Sequence, residues 1–397
     1  MSSTLDEQLI EKLTINDCQV TLLGTAHVSK TSVDAVHALI TSNNFDGIAI
    51  ELCPSRYNAL IDPDSLAKMD LFSVIKSGKA AMVTASLALG AFQQKMADEM
   101  GIELGAEMKM AAELAKESHT PVLLIDREVG ITLKRVYRNV PWWKRIGLFS
   151  GLLASIMFPE KISEEDIEKL KESDVLDATF SQFSESSAEI YQPLVNERDQ
   201  YMAHRIFNDI QSGQHKNILA VIGAGHLKGI KGYLESQLET AKPLEELDSI
   251  PPSSRSLKFI PWIIVALVFV GFSIGFSRAP ELGWQLVIEW VVINGGLSAL
   301  GALLANGHPI TIITAFLAAP LTSLNPTIGA GMVTASVEAW IRKPRVGDFS
   351  TLKKNTVNIS GWWKNRVSRT LLVFLFSTIG SAAGTYIAGF RIFEQLT

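Results

Sequence analysis

The sequence predicts two architectures in one chain: an α/β soluble domain with a mainly parallel sheet, followed by an all-α, multi-span transmembrane domain. Three observations lead there. Four short apolar runs in the first 250 residues each end in a turn and alternate with helical patterns. Beyond Leu257, long apolar runs dominate. Charge divides at the same place: residues 257–397 hold 11 of the 36 Lys and Arg but 5 of the 41 Asp and Glu, a net of +6. Residues 1–256 are left with a net of −11. A chain of 397 residues is too long for one compact core and fits two units. The boundaries read as 1–250 for the first domain, 251–256 for a linker opening on Pro251-Pro-Ser-Ser254, and 257–397 for the second.

Composition excludes several classes. A net charge of −5 argues against a dedicated nucleic-acid binder. With 47% hydrophobic and 19% charged residues, a disordered chain is excluded. Cys18 and Cys53 are too few for a disulfide framework. Met1–Lys12 contains Asp6, Glu7 and Glu11 and has no basic, then apolar, leader pattern. The expectation is therefore that the first 250 residues stay on the cytoplasmic side of the cell (inner) membrane.

The predicted strands are Val20–Leu23, Gly47–Ile50, Pro121–Ile125 and Asn217–Ile222. Continuous apolar strands of this kind suit a parallel sheet covered on both faces. Between them, 66–116 reads as helical; Ala80–Phe92, too short to span, is expected to pack on the soluble domain. Gly151–Phe158 reads as a docked or interfacial segment and Glu164–Lys171 as a charged helix, while His204 and His215 look like surface histidines.

Ile260–Phe276, Trp284–Ala305 and Thr370–Phe390 are each, with flanking residues, long enough to cross a bilayer. His308–Ile341 is apolar but broken by Pro309, Pro320 and Pro326, which predicts two short helices or a re-entrant pair. The loop 342–369 carries Arg342, Lys343, Arg345, Lys353, Lys354, Lys364, Arg366 and Arg369 against Asp348, a cytoplasmic signature. An even number of crossings then precedes the loop, and the C-terminus lies outside. Glu289 and Glu338 interrupt apolar runs; such carboxylates mark an ion path or a water-facing helix end.

Each predicted strand ends in a residue able to do chemistry: His27, Glu51, Asp126 with Arg127, and His226. Ligands of open α/β sheets bind at that carboxyl edge. Two imidazoles and a carboxylate suit Zn, Mn, Fe or Co. Such an ion polarises a carbonyl and activates water. Glu51 is a candidate metal ligand or general base, and Arg127 or Arg198 a candidate oxyanion or carboxylate partner. The bland readings are a hydrogen-bonded structural histidine, a Glu51–Arg56 surface ion pair and an Asp126 turn cap. Cys53 is a poor candidate nucleophile beside a metal-type histidine pair.

Leu-Leu-Gly-Thr-Ala-His-Val-Ser at 22–29, Glu51-Leu-Cys-x-x-Arg56, Gly105-Ala-Glu-Met108, Asp126-Arg127 with Thr132-Leu-Lys-Arg135, Asn196-Glu-Arg-Asp199 and Gly-Ala-Gly-His-Leu-x-Gly-Ile at 223–230 resemble the TraB/PrgY pheromone-shutdown (TraB/GumN-like) family. Six motifs in order make the resemblance specific, and the transmembrane block fits prokaryotic members. It implies kinship with the Tiki metalloproteases, whose paired Gly-x-x-His motifs serve a Mn- or Co-dependent peptidase. By motif, His27 and His226 become metal-site histidines and Glu51 their acidic partner, with Glu107, Arg127 and Arg198 as further site residues. Unlike the Tiki pattern, no signal peptide is visible, and the membrane segments form a bundle after the domain.

The preferred expectation is a membrane-bound, metal-dependent hydrolase, a peptidase acting on small signalling-type peptides. The resemblance favours Mn or Co, with Zn compatible. The alternatives are a non-catalytic membrane protein that sequesters a peptide or ligand, and a transporter using Glu289 or Glu338. The expected partners are the peptide and the lipid bilayer, with no nucleic acid; a homo-oligomer is compatible with the sequence.

Overall fold

The computed structural model describes residues 9–25, 30–61, 70–99, 105–141, 144, 187–251, 259–325 and 327–397. The segments read above as 151–158 and 164–171, and His27 itself, lie outside the described residues. By internal contacts the chain forms two units, one of residues 1–62 and 95–252, the other of 63–94 and 253–397.

In chain order, β1 (Leu9–Ile15), β2 (Cys18–Thr25), α1 (Lys30–Ser42), β3 (Gly47–Ile50) and α2 (Pro54–Ile61) are followed by α3 (Leu71–Lys76) and α4 (Ala80–Glu99). Next come α5 (Ala106–Glu117), β4 (Val122–Leu124) and α6 (Val129–Asn139). One helical turn, Ala188–Tyr191, passes through a π-helical turn, Gln192–Asn196, into α7 (Glu197–Ser212). β5 (Asn217–Gly223), α8 (Ala224–Glu235) and α9 (Leu244–Asp248) complete the first unit.

The sheet has the order β1-β2-β5-β3-β4. β2–β5, β5–β3 and β3–β4 are parallel, and β1 adds antiparallel to β2, so the sheet is mixed with a parallel core. The four predicted strands are present. β1 is the addition: Asn16 and Asp17 both take positive φ, closing a two-residue hairpin that pairs Ile15 with Cys18. Its Glu11 and Lys12 give the sheet a charged edge.

Period-two alternation sorts the central strands onto two cores. Val20, Leu22, Ile218, Ala220 and Ile222 face α7 and α8 through Met202, Ile206, Leu227 and Ile230. Leu23, Ile48, Ile50, Leu219 and Val221 face α1 and α5 through Val36, Leu39, Met108 and Ala111. Helices on both faces leave the carboxyl ends of β2, β3, β4 and β5 along one edge. His215 departs from expectation: it is buried, with its ring against Gly47 and Nδ1 2.7 Å from Asp209 Oδ2.

The second unit is helical. It contains α10 (Ile260–Arg278), α11 (Pro280–Leu304), α12 (Pro309–Thr322), α13 (Ala330–Arg342), three short helices α14 (Val346–Ser350), α15 (Leu352–Thr356) and α16 (Ile359–Lys364), and α17 (Arg366–Leu396). Among the described residues, α10, α11 and α17 are long and apolar enough to cross a bilayer. α12 and α13, with 14 and 13 residues, are the two short helices expected over 308–341. The α3–α4 region belongs here: Leu71, Ile75 and Ala80 pack with Ala335, Ala339, Leu352 and Leu371. The sequence reading places this segment on the soluble domain; an Ala-rich helix matches either surface, so its composition does not choose.

Both carboxylates in the apolar runs are partnered. Glu338, wholly buried, accepts from His308 N–H, the Thr311 hydroxyl and Arg342 Nε at 2.9, 2.6 and 2.8 Å. Glu289 accepts from the side-chain amides of Gln285 and Gln395. Asn294, also buried, accepts the hydroxyls of Ser323 and Ser381 and donates to Thr385, which ties α11 to α17 and to the end of α12.

Candidate active site at the carboxyl edge of the sheet

Three strand ends and the first turn of α7 meet in one ionic network. Glu51 directly follows β3, and its backbone N–H continues the ladder to Val221 O at 3.1 Å. Its Oε2 accepts the Gly223 N–H at the end of β5 at 2.6 Å, so the carboxylate is pinned by the neighbouring strand. Its Oε1 accepts Arg198 Nη2 at 2.5 Å. Asp126, just past β4, takes the same guanidinium as a fork: Nε to Oδ1 and Nη2 to Oδ2, each 2.9 Å. Arg56 reaches Asp126 from the solvent side at 3.7 Å.

His226 enters from the first turn of α8. Its Nδ1 lies 2.5 Å from Asp199 Oδ1, its Nε2 3.0 Å from Arg198 Nη1 and 3.5 Å from Glu51 Oε1. A guanidinium only donates, so the Arg198 contact makes Nε2 an acceptor and leaves the ring proton on Nδ1, where Asp199 receives it. Gly229, one turn along α8, permits this: a Cβ there would stand 2.1 Å from Asp199 Oδ2. The π-helical turn before α7 sets the phase in which Glu197, Arg198 and Asp199 face inward.

Burial and charge shift these groups. Burial is the largest influence on Arg198 and works against the cation, but Asp126 and then Glu51 outweigh it and hold its pKa above the ordinary value. For His226, burial again opposes the charged form, and Glu51 and Asp199 together overcome it and raise the ring's pKa. Asp199 is pushed up to about 6, foremost by burial, while the hydrogen bond and charge of His226 and the charge of Arg198 pull the other way. With Glu51 5% and the Arg198 side chain 13% exposed, the network is nearly dry, and its Arg198 edge is the part nearest to solvent.

Arg127 has different surroundings. Arg127 is fully buried and gives Nε to Thr132, Nη1 to Glu197 and Leu247 O, and Nη2 to Pro193 O. Arg135 joins it on Glu197 at 2.6 and 2.7 Å. Arg127 is thus a strut tying α6, α7 and α9 together. Glu107 is buried in the first turn of α5. The Cys53 thiol is buried against the Ser55 hydroxyl at 3.2 Å.

The donor set for a metal can be tested on this geometry. His226 Nε2 and Glu51 Oε1 converge on one point, and a carboxylate on the far ring nitrogen is the usual orienter of a metal-binding imidazole. Among the described residues, no group of three or more His, Cys, Asp and Glu forms a ready-made metal cluster. At the end of this edge Thr25 of β2 pairs with Gly223 of β5, three residues before His226. Arg198 touches both donor atoms, so an ion would enter only as the guanidinium yields Glu51 and His226, and its Asp126 fork can retain it meanwhile. The donor chemistry fits a divalent ion on those terms.

Comparison with known proteins follows the same division of the chain. The TraB/PrgY/gumN family profile matches residues 9–240, and the profile for the TraB family protein C-terminal domain matches residues 256–397. An uncharacterized protein of Methanocaldococcus jannaschii is 34% identical over 388 residues, covering 94% of each chain. A human TraB domain-containing protein is 24% identical over 281 residues, 65% of this chain and 72% of that protein. Its mouse counterpart is 24% identical over 288 residues, with the same coverage.

Proposed function

This chain belongs to the TraB/PrgY/gumN family, and from that premise we propose that it is a membrane-bound hydrolase of small peptides working with a divalent metal ion. The observation that carries the reading is the His226–Glu51 pair: one imidazole, oriented through Nδ1 by Asp199, presents Nε2 beside a carboxylate fixed by a strand-end N–H. In this reading His226 and Glu51 hold the ion together with His27. Mn or Co follows from the motif resemblance, and nitrogen and oxygen donors suit Zn equally. Bound there, the ion supplies Lewis acidity toward a carbonyl and acidifies water.

The chain's own residues do the rest. Asp199 keeps the imidazole in one tautomer and orientation. Glu51 Oε1 is the oxygen left for the ion once Arg198 releases it, since Oε2 stays on the Gly223 N–H; a Glu51 that does not ligate would instead use Oε1 as the base for water. Arg198, tethered by Asp126, offers Nη1 and Nη2 to negative charge developing on a carbonyl oxygen. Arg198 rather than Arg127 takes this part, because the Arg127 donors are committed to structural acceptors.

The membrane part of the reading rests on α10, α11 and α17 and on their surfaces. Leu267, Val270, Ile288, Val292 and Ile313 are exposed, and exposed tryptophans lie toward the ends: Trp262 and Trp340 at one, Trp284 at the other. That is the pattern of an apolar band between aromatic belts. With the 342–369 loop inside, the first unit is cytoplasmic.

One observation favours a second reading. Arg198 already satisfies Glu51, Asp126 and His226, which suits a protein that binds a peptide without cleaving it. Peptide-library turnover followed by mass spectrometry, with Mn or a chelator added to the full-length chain, separates the two. Metal-dependent new termini support the hydrolase; intact recovery of a bound peptide supports sequestration.

A further inference from the structure

The helical unit carries an arginine cluster that the hydrolase reading does not use. Arg342 ends α13; its Nε goes to Glu338 and its Nη2 to Asn306 O, just past the end of α11. Arg366, opening α17, gives Nη1 to Arg342 O at 3.2 Å. Arg369, one turn on, turns back to Trp363 O. Arg366 and Arg342 are thus joined directly, and Arg369 follows one turn along α17 from Arg366. Among the described residues, Glu338 is the one carboxylate paired with any of them. Of the three, Arg342 alone is paired with a carboxylate among the described residues, and the other acceptors named are neutral carbonyls. Each guanidinium has five N–H donors, and the acceptors named here take the minority.

The surroundings narrow the partner. The cluster sits where α11 and α13 end and α12 and α17 begin. At that same end Leu303, Leu304 and Ile310 are exposed, Trp340 is 69% exposed and Trp363 donates its indole N–H to Leu304 O. The other end of the bundle is balanced: Arg391 pairs with Glu394 at 3.5 Å, and Arg278 and Glu281 lie close in sequence. An amphiphile whose phosphate meets the guanidinium forks and whose acyl chains cover the exposed leucines matches this end.

We propose that Arg342, Arg366 and Arg369 form a binding site for the phosphate headgroup of an anionic phospholipid. The proposal rests on the membrane part of the function reading and not on its chemistry. Such a site would hold the bundle at one depth in the leaflet richer in anionic lipid.

Full-length protein reconstituted in nanodiscs of phosphatidylglycerol mixed with phosphatidylcholine provides the test, with retained lipid counted by native mass spectrometry. The wild type is expected to retain phosphatidylglycerol at least about tenfold over phosphatidylcholine. Arg366→Gln with Arg369→Gln is expected to lower that preference about tenfold, whereas Arg391→Gln at the far end keeps it. If the double variant fails to fold, Arg366→Gln alone is expected to lower it about fivefold. Equal retention of the two lipids by the wild type overturns the proposal, as does full preference in the folded variant. Displacement of phosphatidylglycerol by inorganic phosphate at matched concentration also overturns it, because the site would then serve a soluble anion. Alkaline carbonate extraction is read separately: an extracted wild-type chain removes the membrane reading itself, whereas a resistant chain without lipid preference removes the headgroup site alone.

Discussion

Asp199 Oδ1 and His226 Nδ1 stand 2.5 Å apart, joining the first turn of α7 to the first turn of α8 beneath the sheet edge. The bond fixes which ring nitrogen faces Glu51. Asp199→Asn keeps the shape but can present its NH2 to Nδ1 and so favour the other tautomer. The expected result is a fold with unchanged circular dichroism and a 10- to 100-fold, roughly, weaker affinity for Mn or Co, read by calorimetric titration. Unaltered affinity would show that Asp199 is packing only.

Gly229 allows that same contact. Gly229→Ala places a methyl group against Asp199 Oδ2 and is expected to cost about 1–3 kcal/mol of stability, as overpacking does. Because the obstruction is one side chain, the cost should shrink when Asp199→Ala is introduced alongside. A double-mutant cycle by denaturant unfolding checks this, and additive losses would place the origin of the cost elsewhere.

Glu197 sets an acid limit on the first unit. Burial is the largest influence on it and opposes ionisation, but Arg135, by hydrogen bond and charge, and then Lys242 outweigh burial and hold its pKa below the ordinary 4.5. A depressed carboxylate contributes stability that is complete above its unfolded pKa and is lost as pH falls through the folded value. Unfolding midpoints should therefore drop as the pH is taken below about 4.5. Glu197→Gln should lose about 3 kcal/mol of stability near neutral pH, as for a broken buried pair, and its midpoint should show a shallower dependence on acid. Parallel acid profiles in the two proteins would contradict this assignment.

Arg198 touches both candidate ligand atoms, which makes its replacement diagnostic. Lysine keeps the charge but cannot span Glu51, Asp126 and His226 at once. Arg198→Lys is expected to bind Co about tenfold more tightly, a shift on the scale of one charge-assisted hydrogen bond, and to turn over peptide more slowly. Tighter binding with undiminished turnover would remove Arg198 from the reaction.

Much of this was legible in the residues. The apolar runs ending in Glu51, Asp126 and His226 specify strands whose tips must converge once the sheet is parallel. What spacing could not supply is direction. Nothing in the sequence says that Arg127 turns inward to Glu197 while Arg198, opening a helix 71 residues later, takes up Asp126. The partner of His226 stands within Asn196-Glu-Arg-Asp199, and the π-helical turn that aims it has no sequence pattern of its own. β1 was readable in hindsight from the Asn16-Asp17 turn, whereas α4 was not, because its alanines suit either core.

The central claim is that His226 and Glu51 share a divalent ion. Cobalt titration of the full-length chain, followed by its visible absorption bands, tests it most directly. The account predicts one ion per chain for the wild type and loss of the bands in both His226→Ala and Glu51→Gln. Bands of unchanged position and strength in His226→Ala would contradict it.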